Sequence, residues 1–321
     1  MQRDESWRPT ASTAKLRLRA GLLKKLRTFF EARGVLEVET PALSYAGATD
    51  RHLASFRVQQ TRSVDLYLQT SPEFHMKRLL AAGSGDIYQL CKVFRDGETG
   101  RRHNTEFTLL EWYRLGFDHH RLMREVAELV SWLVPIADAE PEYLSYREAF
   151  ERYAGFNPFS SVPAECRDAL QQHGITPPAV DLDYDGWLDF TAATLVYPAL
   201  GEAGITFIYD YPASQAALAC IRNDAPPVAE RFEAFLDGME LANGFHELAD
   251  AEEQRQRFDQ DLKLRAVQGL PAVPMDEHLL AALQSGLPPC AGVALGFDRL
   301  VMLAANVGTI DEVITFPIER A

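Results

Sequence analysis

The order of the strand-forming runs constrains this chain most. Such runs fall at 66–69, 88–95 and 106–113, and again at 206–209, 231–236, 239–241 and 291–296. Helical patterns interrupt them without regular β-α-β alternation. That order points to an α+β fold, a mostly antiparallel sheet flanked by helices. Residues 12–33 read as the first helix. Ser12 or Thr13 can cap it, Gly34 can end it, and Leu16, Leu23, Leu26 and Phe30 line one face. The strand VLEVETPAL follows. Pro41 near its end cannot donate to a ladder, which marks an edge or an interface. TSPEFHMKRLLAAG starts a helix, with Ser71 before Pro72 and Glu73 and with Gly83 at the far end. Another helix is expected at 251–269. Residues 117–200 are mostly helical in pattern, broken by Pro and Gly, and carry no motif.

Charge narrows the function classes. The 321 residues hold 32 Lys and Arg against 46 Asp and Glu, a net −14. Such a surface repels polyphosphate unless its cations are gathered in one place. Partly they are: Lys15, Arg17, Arg19, Lys24, Lys25, Arg27 and Arg33 stand against Glu31 alone, leaving −20 for the rest. Cys91, Cys166, Cys220 and Cys290 are far apart, so no C-x-x-C pair exists, and adjacent His119 and His120 lack ligand spacing for a helix. The polar start MQRDESWRPT is no signal peptide, and the longest apolar stretch, near 129–137, is far short of the ~20 residues that span a bilayer. The expectation is a cytoplasmic protein with reduced thiols and no membrane contact.

Two segments carry chemistry. In YQLCKVFRDGETGRRHNTEFTLLEWY (88–113), Arg95 ends one strand and can face a phosphate, while Phe107 on the opposing strand can stack on a base. A surface hairpin with solvated arginines would read the same way. In GVALGFDR (292–299), small residues let a ligand or another backbone approach, and Arg299 stands at a helix start. A tightly packed strand–helix corner is the plain alternative. A third feature is the pair Glu233 and Glu240 around Asp237-Gly238, the preferred centre of a two-residue hairpin turn. In that register Phe235 faces Glu240, and the two carboxylates become diagonal neighbours about 7–8 Å apart. That suits Mg²⁺, although an acidic solvated hairpin is ordinary in a chain this negative.

The helix with GVLEVETPAL, then FR…HNTEFTLLE, then GVALGFDR resemble, in order, the three motifs of class II aminoacyl-tRNA synthetases. TSPEFHMKRLL, RRHNTEFTLLEWY and GMELANGFHELADAEEQRQRF are similar to the lysyl-tRNA synthetase core, from about residue 12 to 319. With only about 14 residues before the first motif, no anticodon-reading domain is expected, and 1–321 reads as one catalytic domain. This shortened pattern is similar to the bacterial elongation factor P–(R)-β-lysine ligases.

The resemblance implies ATP bound on the sheet, with Arg95 at the α-phosphate and Arg299 at the γ-phosphate as the catalytic pair. Phe107 would stack on adenine and Asn104 would help hold the nucleotide. Asp96, Gly97, Arg102, His103, Glu240, Leu241 and Gly296 complete the ATP-binding set. Glu233 and Glu240 would hold Mg²⁺. Ser71, Pro72, Glu73, Tyr113, Glu247 and Ala294 would bind the amino acid, Glu73 at the amino group near the carboxyl end and Glu247 at the distal ammonium. Two departures stand out. Motif 2 usually reads F-R-x-E, whereas Gly97 stands here with Glu98 one place later. Lysyl enzymes have Gly where Ala294 stands, and one methyl discriminates by only ~1–3 kcal/mol.

The implied reaction is an ATP-dependent ligation: (R)-β-lysine becomes an adenylate, then passes to a lysine of elongation factor P. A homodimer through the first helix and strand and no tRNA partner are implied as well. The alternatives are a free-standing lysine-activating aminoacylator and a non-catalytic synthetase paralogue.

Overall fold

The computed structural model describes residues 7–59, 64–134, 139–160, 163–180 and 182–321. Helix α1 (Thr13–Glu31) opens the fold. Ser12 caps it by accepting from the Lys15 N–H, and Gly34, at φ +68°, turns the chain out of it. Its buried face is Leu22, Leu26, Phe29 and Phe30, rotated from the expected face because Leu16 and Leu23 stay half-exposed. The expected strand after it shrinks to two short pieces, β1 (Leu36–Glu37) and β2 (Leu43–Ser44). Pro41 between them lies in irregular chain at the sheet's edge.

The chain continues through β3 (Arg57–Val58), β4 (Leu66–Leu68), α2 (Glu73–Ala81), β5 (Ile87–Phe94), β6 (Glu106–Leu115) and α3 (His119–Leu133). The middle holds β7 (Glu142–Ser145), α4 (Tyr146–Tyr153), α5 (Pro163–Gln172) and α6 (Tyr184–Thr191). The last third holds β8 (Thr206–Pro212), β9 (Ile221–Arg222), β10 (Val228–Leu236), β11 (Met239–His246), α7 (Ala251–Val267), α8 (Glu277–Gly286), β12 (Cys290–Gly296) and α9 (Phe297–Ala305). The main sheet runs β1-β5-β6-β12-β11-β10-β8-β7, with β9 also on β10. The outermost pairs, β1 with β5 and β7 with β8, are parallel; the rest are antiparallel. This is the expected α+β architecture, and β2, β4 and β3 form a separate small sheet.

Strand alternation divides the main sheet into two faces. Leu110, Trp112, Val293, Leu295, Ala242, Ala234 and Phe232 pack with α1, α3 and α9 into the largest core. Their neighbours in the same strands turn the other way. Register aligns Gln89, Glu111, Ala294, Asn243 and Glu233 in one row across that second face. The middle helices close it at the β8 end through Phe150, Trp187 and Phe235. At the other end α2, α7 and α8 close it through Met76, Leu80, Phe258 and Leu279. A polar row thereby becomes the floor of a walled cavity.

Candidate active site

The cavity measures about 460 Å³. It collects most of the residues expected around phosphate. Arg95, Arg102, His103, Phe107, Glu240, Leu241, Gly296 and Arg299 all line it. The Arg95 guanidinium lies 5.0 Å from the Phe107 ring centroid and 3.2 Å from Glu98 Oε1, and its buried Nε has no partner. Arg299 donates to the Glu240 carbonyl at 2.7 Å and sits 2.7 Å from His103 Nε2. Burial and the Arg299 charge push the His103 pKa down, which keeps the imidazole neutral and able to accept. Asp298, next to Arg299, is anchored by Arg19 of α1 at 2.5 Å and by the Thr108 N–H at 2.6 Å.

The departure at motif 2 has a local explanation. Gly97 has φ +78°, a conformation that disfavours any side chain, and it carries Glu98 into the cavity lining beside Arg95. Asp96 and Gly97 themselves are absent from the lining. Asp96 contributes its backbone N–H to Ala54 O instead. Asn104 reaches the lining but is occupied: its amide donates to Glu106 O at 2.6 Å and accepts from the Ile318 N–H at 3.1 Å. It ties the last residues to the motif 2 loop rather than offering a free amide.

At the acidic hairpin, Asp237 (φ +51°) and Gly238 (φ +60°) make the expected turn, and Phe235 faces Glu240. A bulge between Ala234 and Phe235 then sets Glu233 opposite Asn243. Glu233 is buried and held by Arg231 at 2.5 Å, so only Glu240 of the pair lines the cavity. Burial raises the Glu233 pKa; Arg231 opposes this and the nearby Glu240 charge adds to it. The two carboxylates do feel one another across the turn.

The other end of the cavity differs most from expectation. The resemblance implies that Glu73 and Glu247 meet two substrate ammonium groups. Both are already bound to an ammonium of the chain: Lys77 Nζ is 2.6 Å from Glu73 Oε1 and 2.6 Å from Glu247 Oε2. Lys77 is fully buried, and burial works to lower its pKa. Glu247 and Glu73 together outweigh that and raise it. Glu111, also buried, accepts from Ser71 Oγ at 2.6 Å and from the Tyr113 hydroxyl at 2.7 Å. Burial, then the Glu73 charge, lift its pKa to about 8; burial lifts Glu247 to about 7 against the pull of Lys77. Ser71, Glu73 and Ala294 line the cavity, whereas Pro72, Tyr113, Glu247 and Glu111 lie behind the lining. Ala294 sits directly opposite Glu111.

Sequence reasoning missed Lys77, Glu111, Arg231, Asn243 and Gln254. Lys77 had a signal, four residues after Glu73 on one helix face. Glu111 had a weaker one, sharing a strand face with Tyr113. Gln254 of α7 is 1% exposed, lines the cavity and has an unpartnered Nε2, which no local pattern foretells.

Gly292 has a steric reason to be glycine. A Cβ there would overlap the Tyr113 ring and the Glu247 carboxylate. Gly292→Ala should cost about 1–3 kcal/mol of stability, as overpacking does. Amino-acid binding should weaken more than ATP binding, which calorimetry with each ligand separately would check.

The basic helix is partly spoken for within the chain. Lys15 pairs with Glu312, Arg19 with Asp298, Arg27 with Glu37, and Arg33 with Glu125 and Glu128. Arg17, Lys24 and Lys25 stay exposed and remain for a partner.

A family model described as tRNA synthetases class II (D, K and N) matches residues 3–320. Curated relatives align over the full length of both chains. Those from Salmonella arizonae and Salmonella typhimurium are 48% identical, and that from Pectobacterium carotovorum is 50% identical. Each is named elongation factor P–(R)-β-lysine ligase.

Proposed function

The chain belongs to the class II tRNA synthetase family of the D, K and N type, and on that premise we propose that it is an ATP-dependent ligase joining (R)-β-lysine to a lysine of elongation factor P. One observation carries this reading: a single cavity joins phosphate-seeking cations to a buried carboxylate cluster suited to a diamine. The relatives' shared name specifies the acid and the acceptor.

In the first step a carboxylate oxygen of β-lysine attacks the α-phosphorus of ATP, and pyrophosphate leaves. Arg95 and Arg299 stabilise the charge that builds on the phosphates. In the second step the neutral ε-amine of the acceptor lysine attacks the adenylate carbonyl. The acyl C–O bond of the mixed anhydride breaks, AMP departs with that oxygen, and the amine proton passes to solvent. Glu73 at the cavity wall meets the diamine, and Glu111 and Glu247 behind it add negative field, with Lys77 setting the balance among them. Neither step requires a side-chain nucleophile.

Magnesium fits the hairpin: Glu240 presents a hard oxygen donor to the cavity, and Glu233 behind it adds negative field. Bound there with ATP, the ion would neutralise phosphate charge. Glu240→Gln should therefore raise the Mg²⁺ concentration needed for adenylate formation about tenfold and leave β-lysine affinity within a factor of about 2. An unchanged Mg²⁺ requirement removes Glu240 from the metal site.

Ala294, opposite Glu111, supplies the methyl that narrows the floor. Ala294→Gly should shift the β-lysine to α-lysine activation ratio toward α-lysine, by ~10–200-fold at most. An unchanged ratio excludes Ala294 as the discriminator.

The deciding test is mass spectrometry of elongation factor P after incubation with ATP, the chain and either β-lysine or lysine. A mass gain of one β-lysyl group is expected. Charging of tRNA instead would favour the aminoacylator. Half of the α1 cations are paired internally and the chain carries a net −14, which argues against tight tRNA binding. Absence of pyrophosphate exchange with either amino acid would indicate a non-catalytic paralogue.

The homodimer reading draws on the exposed Leu36 of edge strand β1 and the exposed Leu43 and Tyr45 in and just after β2. Light scattering at micromolar concentration tests it. The cytoplasmic assignment draws on four free cysteines. Among the described residues, no helix is long and apolar enough to cross a membrane.

A further inference from the structure

Strand β10 changes partner part-way along its length. It begins beside β9, with Val228 opposite Arg222 and Ala229 opposite Ile221. From Arg231, opposite Phe245, it pairs with β11. Glu230 sits at the fork, flanked by Cys220 on one side and His246 on the other. Backbone hydrogen bonds fix all three: Cys220 N–H donates to His246 O at 2.8 Å, and Glu230 N–H donates to Cys220 O at 2.9 Å. The thiol sulfur, one carboxylate oxygen and one imidazole nitrogen lie within 4.8 Å of one another. Arg231 and Phe245 line the cavity, so alternation turns Glu230 and His246 to the opposite face. The ligation chemistry uses none of these three side chains.

We propose that Cys220, Glu230 and His246 form a binding site for one zinc ion, separate from the ATP site. The donor set decides the metal. Sulfur and imidazole nitrogen with one carboxylate oxygen suit zinc and not magnesium or calcium, which take oxygen. Three protein ligands leave a fourth position for water, and all three residues are partly exposed. The site is also held in place from outside. Arg222 contacts Glu230 Oε1 at 3.4 Å and orients that carboxylate, while Glu230 Oε2 and His246 Nδ1 hydrogen-bond to each other, a contact that the ion replaces. Binding must displace the thiol proton, which burial and the Glu230 charge hold on until about 11. Sequence spacing could not reveal this site, because its ligands are brought together only by the strand fork.

The site has a line to the amino-acid pocket. The Cys220 S–H donates to the Glu247 carbonyl at 3.2 Å. A zinc-bound thiolate cannot donate, so occupancy removes a hydrogen bond from the residue that holds Lys77.

The test uses the full chain, freed of metal, titrated with cobalt(II) as the spectroscopic probe and then with zinc against a chromophoric chelator. One equivalent of cobalt should bind with tetrahedral bands and a thiolate charge-transfer band, and zinc should displace it. Cys220→Ser should abolish the charge-transfer band and weaken zinc binding by at least ~10²-fold, more than loss of a supporting contact does. His246→Gln should weaken zinc comparably. Circular dichroism of both variants in metal-free buffer establishes that they are folded. Glu240→Gln should keep the band, which separates this site from the ATP site. The proposal falls if folded wild-type chain binds no stoichiometric zinc. It also falls if the band survives Cys220→Ser, or if the bound cobalt is octahedral and lost in Glu240→Gln.

Discussion

Replacing Lys77 with methionine should destabilise the protein by about 3–5 kcal/mol near pH 8, the cost of breaking a buried ion pair from one side. Lys77 is 1% exposed, and its ammonium is the shared partner of Glu73 and Glu247 at 2.6 Å each. Methionine fills similar volume, so lost packing contributes little. What remains is three carboxyls, Glu73, Glu111 and Glu247, facing one another with no counter-charge. The sign with pH follows. The Lys77 pKa is raised in the fold, so its stabilisation is fully present below the ordinary lysine value and fades only above it. The variant's carboxyls can relieve their repulsion by taking up protons. Its deficit should therefore shrink as the pH falls toward about 5. Guanidinium unfolding of both proteins at the two pH values measures this. Lys77→Met with Glu247→Gln should recover part of the loss, because each change removes a charge that the other would leave bare. Equal stability of Lys77→Met and wild type at pH 8 would mean that the pairing contributes nothing.

This pairing also alters what Glu247→Ala can report. Sequence reasoning assigned Glu247 solely to a substrate ammonium, which made its removal a clean probe of recognition. With Lys77 beneath it, the alanine variant strands a buried ammonium on Glu73 alone. Loss of stability and loss of binding then arrive together. Glu111→Gln is the cleaner probe, since Ser71 and Tyr113 can each still hydrogen-bond to an amide there.

The sheet was legible because its cues are local. Asp237-Gly238 forces its turn through two positive φ values, and the register Phe235 to Glu240 follows from it. Ser12 and Gly34 bound α1 for equally local reasons. That Arg95, Phe107 and Arg299 meet at one cavity was legible because short motifs carry them. The rest depends on which chain segments meet. The bulge that sets Glu233 on Arg231 has no residue that announces it. Gln254 enters the cavity because α7 folds back over it, and Asn104 is claimed by residue 318, more than 200 positions away. The two-residue strands β1 and β2 replaced a nine-residue strand because Pro41 and the edge position leave little to pair with.

Binding of a diamino acid should release protons, and its affinity should rise with pH through neutrality. The free pocket holds two carboxyls that stay protonated well above their usual range, Glu247 to about 7 and Glu111 to about 8. Burial is the main cause for both. An arriving ammonium favours their ionised forms and lowers both values. Protons bound before binding and absent after it must leave, so affinity climbs as pH rises toward those values and levels off above them. Each proton released steepens the affinity by up to about tenfold per pH unit. From about pH 5.5 to about 7.5 the expected gain is at least ~10-fold and up to ~10³-fold. The two transitions belong to the coupled cluster, so one stepwise curve is expected rather than two resolved ones. Calorimetry in buffers of different ionisation enthalpy counts the protons directly. β-Lysine should release about one to two near pH 6.5. An analogue lacking the distal amine should release fewer, and Glu111→Gln should lower the count by up to about one. Heats independent of the buffer would mean that the carboxyls are already ionised before binding, and that Lys77, not the ligand, fixes their charge.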